Sequence, residues 1–114
     1  MVIRRGTLWW VDLGEPRGSE PGLIRPALVI SADTYNRSAI ATVVVVVLTS
    51  NLRLGTAPGN VVLAKGTGGL PKTSVVNVTQ IATVDKGDLV QQIGRLDDIV
   101  MDAVSNGLRR ALTL

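Results

Sequence analysis

The 114-residue sequence contains no cysteine, no histidine and no phenylalanine. Without cysteine there is no disulfide framework and no thiolate metal site. Without histidine, a ribonuclease that uses a histidine acid–base pair and a Ser-His-Asp hydrolase are both excluded. Any metal site would have to be built from carboxylates alone. Catalytic chemistry in this chain must therefore come from Arg, Lys, Asp, Glu, Ser, Thr or Tyr side chains.

Long apolar runs are also missing. The longest one, Val43 to Leu48, is much shorter than the roughly 20 residues that a membrane-spanning helix needs. The basic start, Met1 to Gly6, is not followed by the apolar segment of a secretory signal. We expect a cytoplasmic protein with no membrane association, folded as one domain over residues 1–114.

The residues that are present favour strands. Hydrophobic residues make up 46% of the chain, and the β-branched valines among them are typical of sheets. Because there are only two Trp and one Tyr, the core has to be mainly aliphatic. Residues Thr7 to Leu13 alternate, so Trp9, Val11 and Leu13 are predicted on one face of a strand and Leu8 on the other.

Five further apolar segments are predicted as strands, with the valine-rich one at the centre of the sheet because it is apolar on both faces. They are Ala27–Ile30, Thr42–Leu48, Asn60–Leu63, Ser74–Val78 continuing after a bend as Gln80–Val84, and Ile93–Leu96. Gly14–Ile24, Ser31–Ser38 and Thr49–Pro58 are predicted as connections, and Asp85–Gln91 as a short helical turn.

The chain ends in a predicted helix. Asp97 or Asp98 can cap its N-terminus, and its apolar residues form one broad stripe. The stripe consists of Ile99, Val100, Ala103, Val104, Leu108, Ala111 and Leu112. The sequence thus predicts a mainly β fold with a C-terminal helix (α+β), arranged as a small β-barrel.

The charge permits a nucleic-acid partner without requiring one. The net charge is +3, and nine of the twelve cationic residues are arginines. The planar guanidinium group suits phosphate oxygens, but many unrelated small domains are equally basic.

Two short clusters lie where predicted strands meet loops, which is where small domains often carry function. One is Arg17-Gly18-Ser19-Glu20, followed by a Gly- and Pro-containing loop and Arg25-Pro26; the other is Leu48-Thr49-Ser50-Asn51. Together with the opening segment Arg5 to Leu13, these clusters resemble the MazF/PemK family of toxin endoribonucleases. The resemblance extends from near Arg4 to the last helix.

The resemblance implies an SH3-like, CcdB/PemK-like barrel that cleaves single-stranded RNA at selected sequences without metal or cofactor. It implies Arg25 as the principal catalytic residue, Thr49 as its partner at the scissile phosphate, and Glu20 as a third catalytic residue. Ser19, Asn36, Ser50 and Gln80 correspond to substrate-binding positions. Each of these polar residues also has a purely structural explanation, such as a turn, a strand end or a hydrogen bond to nearby backbone.

The chemistry can be reasoned from the residues as well. RNA supplies its own nucleophile, the 2′-hydroxyl, so the protein has to stabilise negative charge on the phosphate and assist two proton transfers. An arginine with a hydroxyl donor meets the first demand. Because a guanidinium group is a poor base near neutral pH, we assign Arg25 to charge stabilisation, with acid catalysis as a second role, and Glu20 or water to the base.

The resemblance also implies partners. These are a cognate antitoxin with an acidic disordered segment that competes with RNA, and a second copy of the chain in a homodimer. We expect that homodimer to bury the valine strand and part of the last helix. The loop Gly14–Ile24 is expected to act as a mobile lid over the site.

Two alternatives remain open. The same barrel occurs in CcdB-type toxins, which bind gyrase without catalysis and end in Trp-Gly-Ile, whereas this chain ends in Leu112-Thr113-Leu114. The second alternative is a barrel that binds RNA without cleaving it.

Overall fold

The valine-rich segments form the central strands of one antiparallel sheet in the computed structural model, which describes residues 1–16, 18, 19 and 23–114. In this part of the chain the strands are β1 (Thr7–Asp12), β2 (Ile24–Val29), β3 (Thr42–Thr49), β4 (Val61–Leu63), β5 (Ser74–Asp85) and β6 (Leu89–Arg95). The α-helices are α1 (Asp33–Asn36) and α2 (Asp98–Leu112), and short 3₁₀ turns cover Leu52–Thr56, Thr67–Gly69 and Lys86–Asp88. The strand order is β4-β5-β3-β2-β1-β6. The prediction of a mainly β fold with a C-terminal helix is confirmed.

Each face of the curled sheet has its own hydrophobic core. On the face covered by α2, Leu8, Leu28 and Val46 pack with Val104 and Leu108 of the helix. On the other face, Trp9, Val11 and their neighbours pack with Ile3 from the N-terminal segment. Leu8 and Trp9 therefore lie on opposite faces of β1, as the alternation of that segment predicts.

The central position of β3 is confirmed, because it lies between β2 and β5. Val43, Val45, Val46 and Val47 are all nearly inaccessible to solvent within one copy of the chain. The expectation that a dimer buries the apolar faces of the valine strand is therefore wrong for Val43, Val45 and Val46, whose side chains already belong to the two cores of the chain. Val47 lies in neither core, and Val44 is half-buried.

The two ends of the sheet approach each other through a turn. The Thr67–Gly69 turn follows β4, at one end of the strand order, and packs against β6 at the other end. The approach is close enough that a Cβ atom on Gly94 would overlap the carbonyl oxygen of Gly68. Glycine at position 94 is thus what lets the Thr67–Gly69 turn approach β6 this closely.

Helix α2 begins where predicted, since the Asp97 side chain accepts a hydrogen bond of 2.9 Å from the Val100 backbone N–H. Its buried face differs from the prediction, because Met101, Val104, Gly107 and Leu108 are buried whereas Ile99 is 81% exposed. Gly107 packs directly against the Gly59 carbonyl group. This backbone contact fixes the rotation of the helix and leaves part of the predicted stripe in solvent, namely Ile99, Ala103, Ala111 and Leu112.

Several boundaries also differ. Strand β2 begins at Ile24 and not at Ala27, because Ile24 and Arg25 still pair with β1. Strand β6 begins at Leu89, so the predicted helical turn is confined to Lys86–Asp88. The predicted connection Ser31–Ser38 contains α1, and the two predicted segments from Ser74 to Val84 form one strand. Among the described residues, no helix is long and apolar enough to cross a membrane.

Candidate functional site

The register of β2 against β3 brings Arg25 and Thr49 together. Ala27 is paired with Val47 in this antiparallel pair of strands. Counting two residues back along β2 and two forward along β3 places Arg25 opposite Thr49, with both side chains on the face of Val47. Two residues that are 24 positions apart in sequence thus become cross-strand neighbours at one end of the sheet.

These residues line a pocket of about 250 Å³. Four of the residues singled out in the sequence lie around it: Ser19, Arg25, Thr49 and Gln80. Its remaining lining residues are Val47, Leu48, Leu54 and Asn77. The pocket therefore has an apolar floor and a polar rim that carries one guanidinium, hydroxyl groups and carboxamides, which can together bind an anionic ligand by hydrogen bonds.

An irregularity in β5 supplies the two carboxamides. Val46 pairs with Ile81 and Leu48 pairs with Val76, so four residues of β5 face the single residue Val47. Such bulges bend a strand and redirect side chains, and they are frequent beside active sites. Here the extra residues begin with Asn77 and end with Gln80, and both line the pocket.

Asn60 holds this bulge in place. Its Oδ1 atom accepts a hydrogen bond of 2.9 Å from the Val78 N–H. Its Nδ2 atom donates to the Leu54 carbonyl oxygen at 2.9 Å and to Asn77 Oδ1 at 3.3 Å. Neither asparagine is among the site residues expected from the sequence. Asn77 could have been noticed as the polar residue that interrupts a run of valines.

The hydroxyl group of Thr49 accepts one hydrogen bond within the chain. Its Oγ1 atom accepts a hydrogen bond of 3.1 Å from the Asn51 backbone N–H, which is the local role expected for a residue that ends a strand. Because Oγ1 is the acceptor in that bond, the hydroxyl proton can be donated to a ligand. The backbone bond orients the group and leaves its donor function available.

Ser50 and Asn36 do not line the pocket that Ser19, Arg25, Thr49 and Gln80 line. Ser50 is exposed and lines a neighbouring pocket together with Arg25. Asn36 is 6% exposed and is held within the connection that contains α1. Its Nδ2 atom donates to the Ser31 carbonyl oxygen at 2.9 Å and to Asp33 Oδ1 at 3.1 Å, and its Oδ1 atom accepts from Ser31 Oγ at 2.6 Å. The structure does not bring Asn36 to the pocket, and its hydrogen bonds give it a structural role.

The same connection holds a perturbed carboxylate. The backbone N–H of Arg5 donates to Asp33 Oδ1 at 2.7 Å, and the Asn36 amide adds a second hydrogen bond. These hydrogen bonds lower the pKa of Asp33 below its ordinary value, the bond from Arg5 being the larger cause. Asp33 lies between the N-terminal segment and the rest of α1, and it does not line the pocket.

Glu20, the third predicted catalytic residue, lies outside the described residues, as does Arg17. The parts of the loop Gly14–Ile24 that are described include Gly18 and Ser19. Over residues 1–16, 18, 19 and 23–114 there is no group of three or more carboxylates that could hold a metal ion. Asp97 instead caps α2.

The pocket is part of a longer depression. A larger cavity of about 520 Å³ shares Val47 and Gln80 with it and continues along β5 to Asp85 and Asp88. On the other side, a cavity of about 190 Å³ shares Arg25 and Leu48. The pocket of Arg25 and Thr49 thus adjoins the other two cavities through shared lining residues, an arrangement that suits an extended ligand better than a small molecule.

The fold and the pocket define a small β-barrel protein with an extended groove that has an arginine at its centre. Comparisons with known proteins identify the family. Residues 4–112 match the family of PemK-like, MazF-like toxins of type II toxin–antitoxin systems. The chain therefore belongs to that family, and the resemblance seen in the sequence is confirmed.

Individual relatives agree with this assignment. The chain is 50% identical to the endoribonuclease MazF6 of Mycobacterium tuberculosis over the full length of both proteins. A mycobacterial endoribonuclease solved in complex with its cognate antitoxin is 30% identical, with a TM-score of 0.80, over 98% of this chain and 96% of the other. MazF from Deinococcus radiodurans is 25% identical, with a TM-score of 0.83, over 100% and 99% of the two chains.

Proposed function

We propose that this chain is an endoribonuclease, the toxin of a toxin–antitoxin pair, which cleaves single-stranded RNA at selected sequences. The observation that carries the proposal is the convergence of Arg25 and Thr49 at one pocket in the middle of a groove, in a chain of the MazF-like family. The products would be a 2′,3′-cyclic phosphate and a 5′-hydroxyl end, because the 2′-hydroxyl of RNA is the nucleophile.

In this proposal Arg25 and Thr49 stabilise the phosphate as its negative charge increases. The guanidinium can donate two parallel hydrogen bonds to phosphate oxygens, and the Thr49 hydroxyl can donate a third. A preorganised donor of this kind contributes about 3–4 kcal/mol of transition-state stabilisation in comparable sites. No step in this scheme requires a metal ion or an organic cofactor.

The remaining polar residues would bind the RNA on both sides of that phosphate. Gln80 and Asn77 extend from the bulge of β5, Ser19 approaches from the loop, and Ser50 lies beside Arg25. Glu20 or a water molecule would accept the proton of the 2′-hydroxyl, and Arg25 or a water molecule would donate a proton to the departing 5′-oxygen. These side chains offer both donors and acceptors, which base edges require for sequence selection.

The same groove would bind the antitoxin. An acidic segment can pair with the groups that bind RNA phosphates, so its binding and RNA binding would exclude each other. A disordered segment can follow a long, open groove because it folds on contact. The mycobacterial relative was solved with its cognate antitoxin. We further propose that the chain works as a homodimer in the cytoplasm.

The experiment is a cleavage assay on mixed RNA in the presence of EDTA, with the ends of the fragments mapped chemically. Activity should persist in EDTA, and a single 2′-deoxy nucleotide immediately upstream of the cut should abolish cleavage of that substrate. Cleavage of the deoxy substrate at the normal rate would disprove the mechanism. RNA that is bound but never cut would instead favour the non-catalytic barrel.

A further inference from the structure

The cavity of about 190 Å³ beside Arg25 combines groups that the proposed cleavage step does not use. It shares Arg25 and Leu48 with the proposed catalytic pocket and is also lined by Trp10, Ser50, Pro71 and Lys72. It therefore contains an aromatic ring and a second cation next to the residue proposed to bind the scissile phosphate.

The two tryptophans of the chain have different environments. Trp9 is only 4% exposed, packs in the core with Ile3 and Val11, and donates a hydrogen bond of 2.9 Å from Nε1 to Thr7 Oγ1. Trp10 is half-buried, lies opposite Pro26 in the β1–β2 pair, and lines the cavity. Packing within the chain explains Trp9 fully but leaves part of the Trp10 side chain accessible from the cavity.

Lys72 has a fixed backbone and an exposed side chain. Its carbonyl oxygen accepts a hydrogen bond of 3.0 Å from Ser74 Oγ. Lys72 thus lines the cavity from a turn that is anchored to the start of β5. A cation and an aromatic ring that line one cavity together with Arg25 match the two parts of a nucleotide, its phosphate and its base.

We propose that this cavity binds a nucleotide adjacent to the scissile phosphate, with its base stacked on Trp10 and its phosphate paired with Lys72. The inference rests on the proposed endoribonuclease function and adds a binding subsite to it. Stacking is tolerant of base identity because every base has a π-face. This subsite therefore contributes affinity and positions the chain of the RNA, whereas hydrogen bonds elsewhere in the groove select its sequence.

The first test replaces single bases of a cleavable RNA by abasic sites, one position at a time, within two nucleotides of the cut. One abasic position should lower kcat/KM by roughly tenfold to a hundredfold in the unmodified protein, the range expected for one stacked base. In Trp10→Leu the same abasic position should cause no further loss of kcat/KM. In Trp10→Phe, which retains an aromatic ring, the abasic position should still cause most of the loss seen in the unmodified protein. Equal losses in the unmodified protein and in Trp10→Leu would overturn the proposal.

The second test concerns the cation. Lys72→Gln should weaken RNA binding several-fold and reduce the slope of log affinity against log salt by roughly 0.7, the value for one phosphate contact on a single strand. Lys65→Gln is the matched control, because Lys65 is also exposed in the same part of the chain but does not line the cavity. Identical salt slopes for the two variants would show that Lys72 binds no phosphate.

Fluorescence separates this inference from the proposed activity. Trp9→Phe leaves Trp10 as the only tryptophan, so its emission reports on the cavity directly. Single-stranded 2′-O-methyl RNA, which cannot be cleaved by the proposed route, should quench this emission in a saturable way. Unchanged emission with RNA bound overturns the subsite even if the protein cleaves RNA. Quenching by a protein that cuts no RNA would support the subsite while disproving the nuclease.

Discussion

Replacement of Thr49 by valine removes one hydroxyl and keeps the shape of the side chain. If Oγ1 donates to the phosphate in the transition state, Thr49→Val should slow cleavage at saturating RNA by roughly a hundredfold to a thousandfold, as for other lost oxyanion donors. The free energy of unfolding should fall by no more than about 1 kcal/mol. Thr49 Oγ1 accepts a hydrogen bond from the Asn51 N–H, but Asn51 is exposed and water can replace that acceptor.

The assay is single-turnover cleavage of an end-labelled RNA, with urea unfolding measured on the same protein. Thr49→Ser is the matched control, because it keeps the hydroxyl and should stay within about tenfold of the unmodified rate. The double variant with Arg25→Gln should lose less than the product of the two single losses, because both side chains act on one phosphate. A folded Thr49→Val that cleaves within about threefold of the normal rate would refute the assignment.

Three further changes test other parts of the structure. Arg25→Lys should lower the cleavage rate by about a hundredfold, because an ammonium group cannot reproduce the two-pronged guanidinium contact; near-normal activity would remove Arg25 from the mechanism. Gly94→Ala should lower the free energy of unfolding by about 1–3 kcal/mol or more through overlap with Gly68, whereas Gly87→Ala, whose Cβ would meet nothing within 4 Å, should be neutral in urea unfolding. The hydrogen bonds that lower the pKa of Asp33 stabilise the fold at pH values above the pKa that Asp33 has in the unfolded chain. The difference in free energy of unfolding between the unmodified protein and Asp33→Asn should therefore become smaller as pH falls below about 4. A difference that does not depend on pH would contradict this.

The sequence contained enough information for the centre of the sheet and for the approximate place of the site. The double-sided apolar pattern of β3 predicts a central strand, and alternation predicts the faces of β1, because both follow directly from the strand period. Arg25 and Thr49 were recognised by resemblance to a family. The register of β2 against β3 then gives the physical reason for their proximity.

The contribution of β5 could not be predicted in the same way. A bulge depends on which residues of the neighbouring strand are paired, and the run from Ser74 to Val84 shows only that a bend occurs near Thr79. The redirection of Asn77 towards the pocket also needs Asn60, which lies before β4 and reaches the bulge only in the folded chain. Tertiary hydrogen bonds of this kind leave no periodic signal.

Helix α2 shows a second limit. The buried residues Met101, Val104, Gly107 and Leu108 occupy only part of the broad apolar arc of the helix. The periodicity of the segment does not show which part of that arc faces the core, because apolar residues also continue to Ile99 and Ala103. The contact between Gly107 and the Gly59 carbonyl decides the outcome. The helix backbone can approach the turn before β4 closely only at Gly107. With the helix in this rotation, Met101 and Leu108 lie in the core.

The same turn connects the stability of the fold with the geometry of the site. Gly59 receives the helix, and the next residue, Asn60, holds both the bulge of β5 and the Leu54 carbonyl at the rim of the pocket. Packing of α2 on the turn therefore restrains the residues that position Asn77. In this arrangement the carboxamides of the groove are fixed by regular structure on one side, while Ser19 approaches from the loop on the other. In the function proposed above, RNA and the antitoxin segment would each bind between this wall of β5 residues and Ser19.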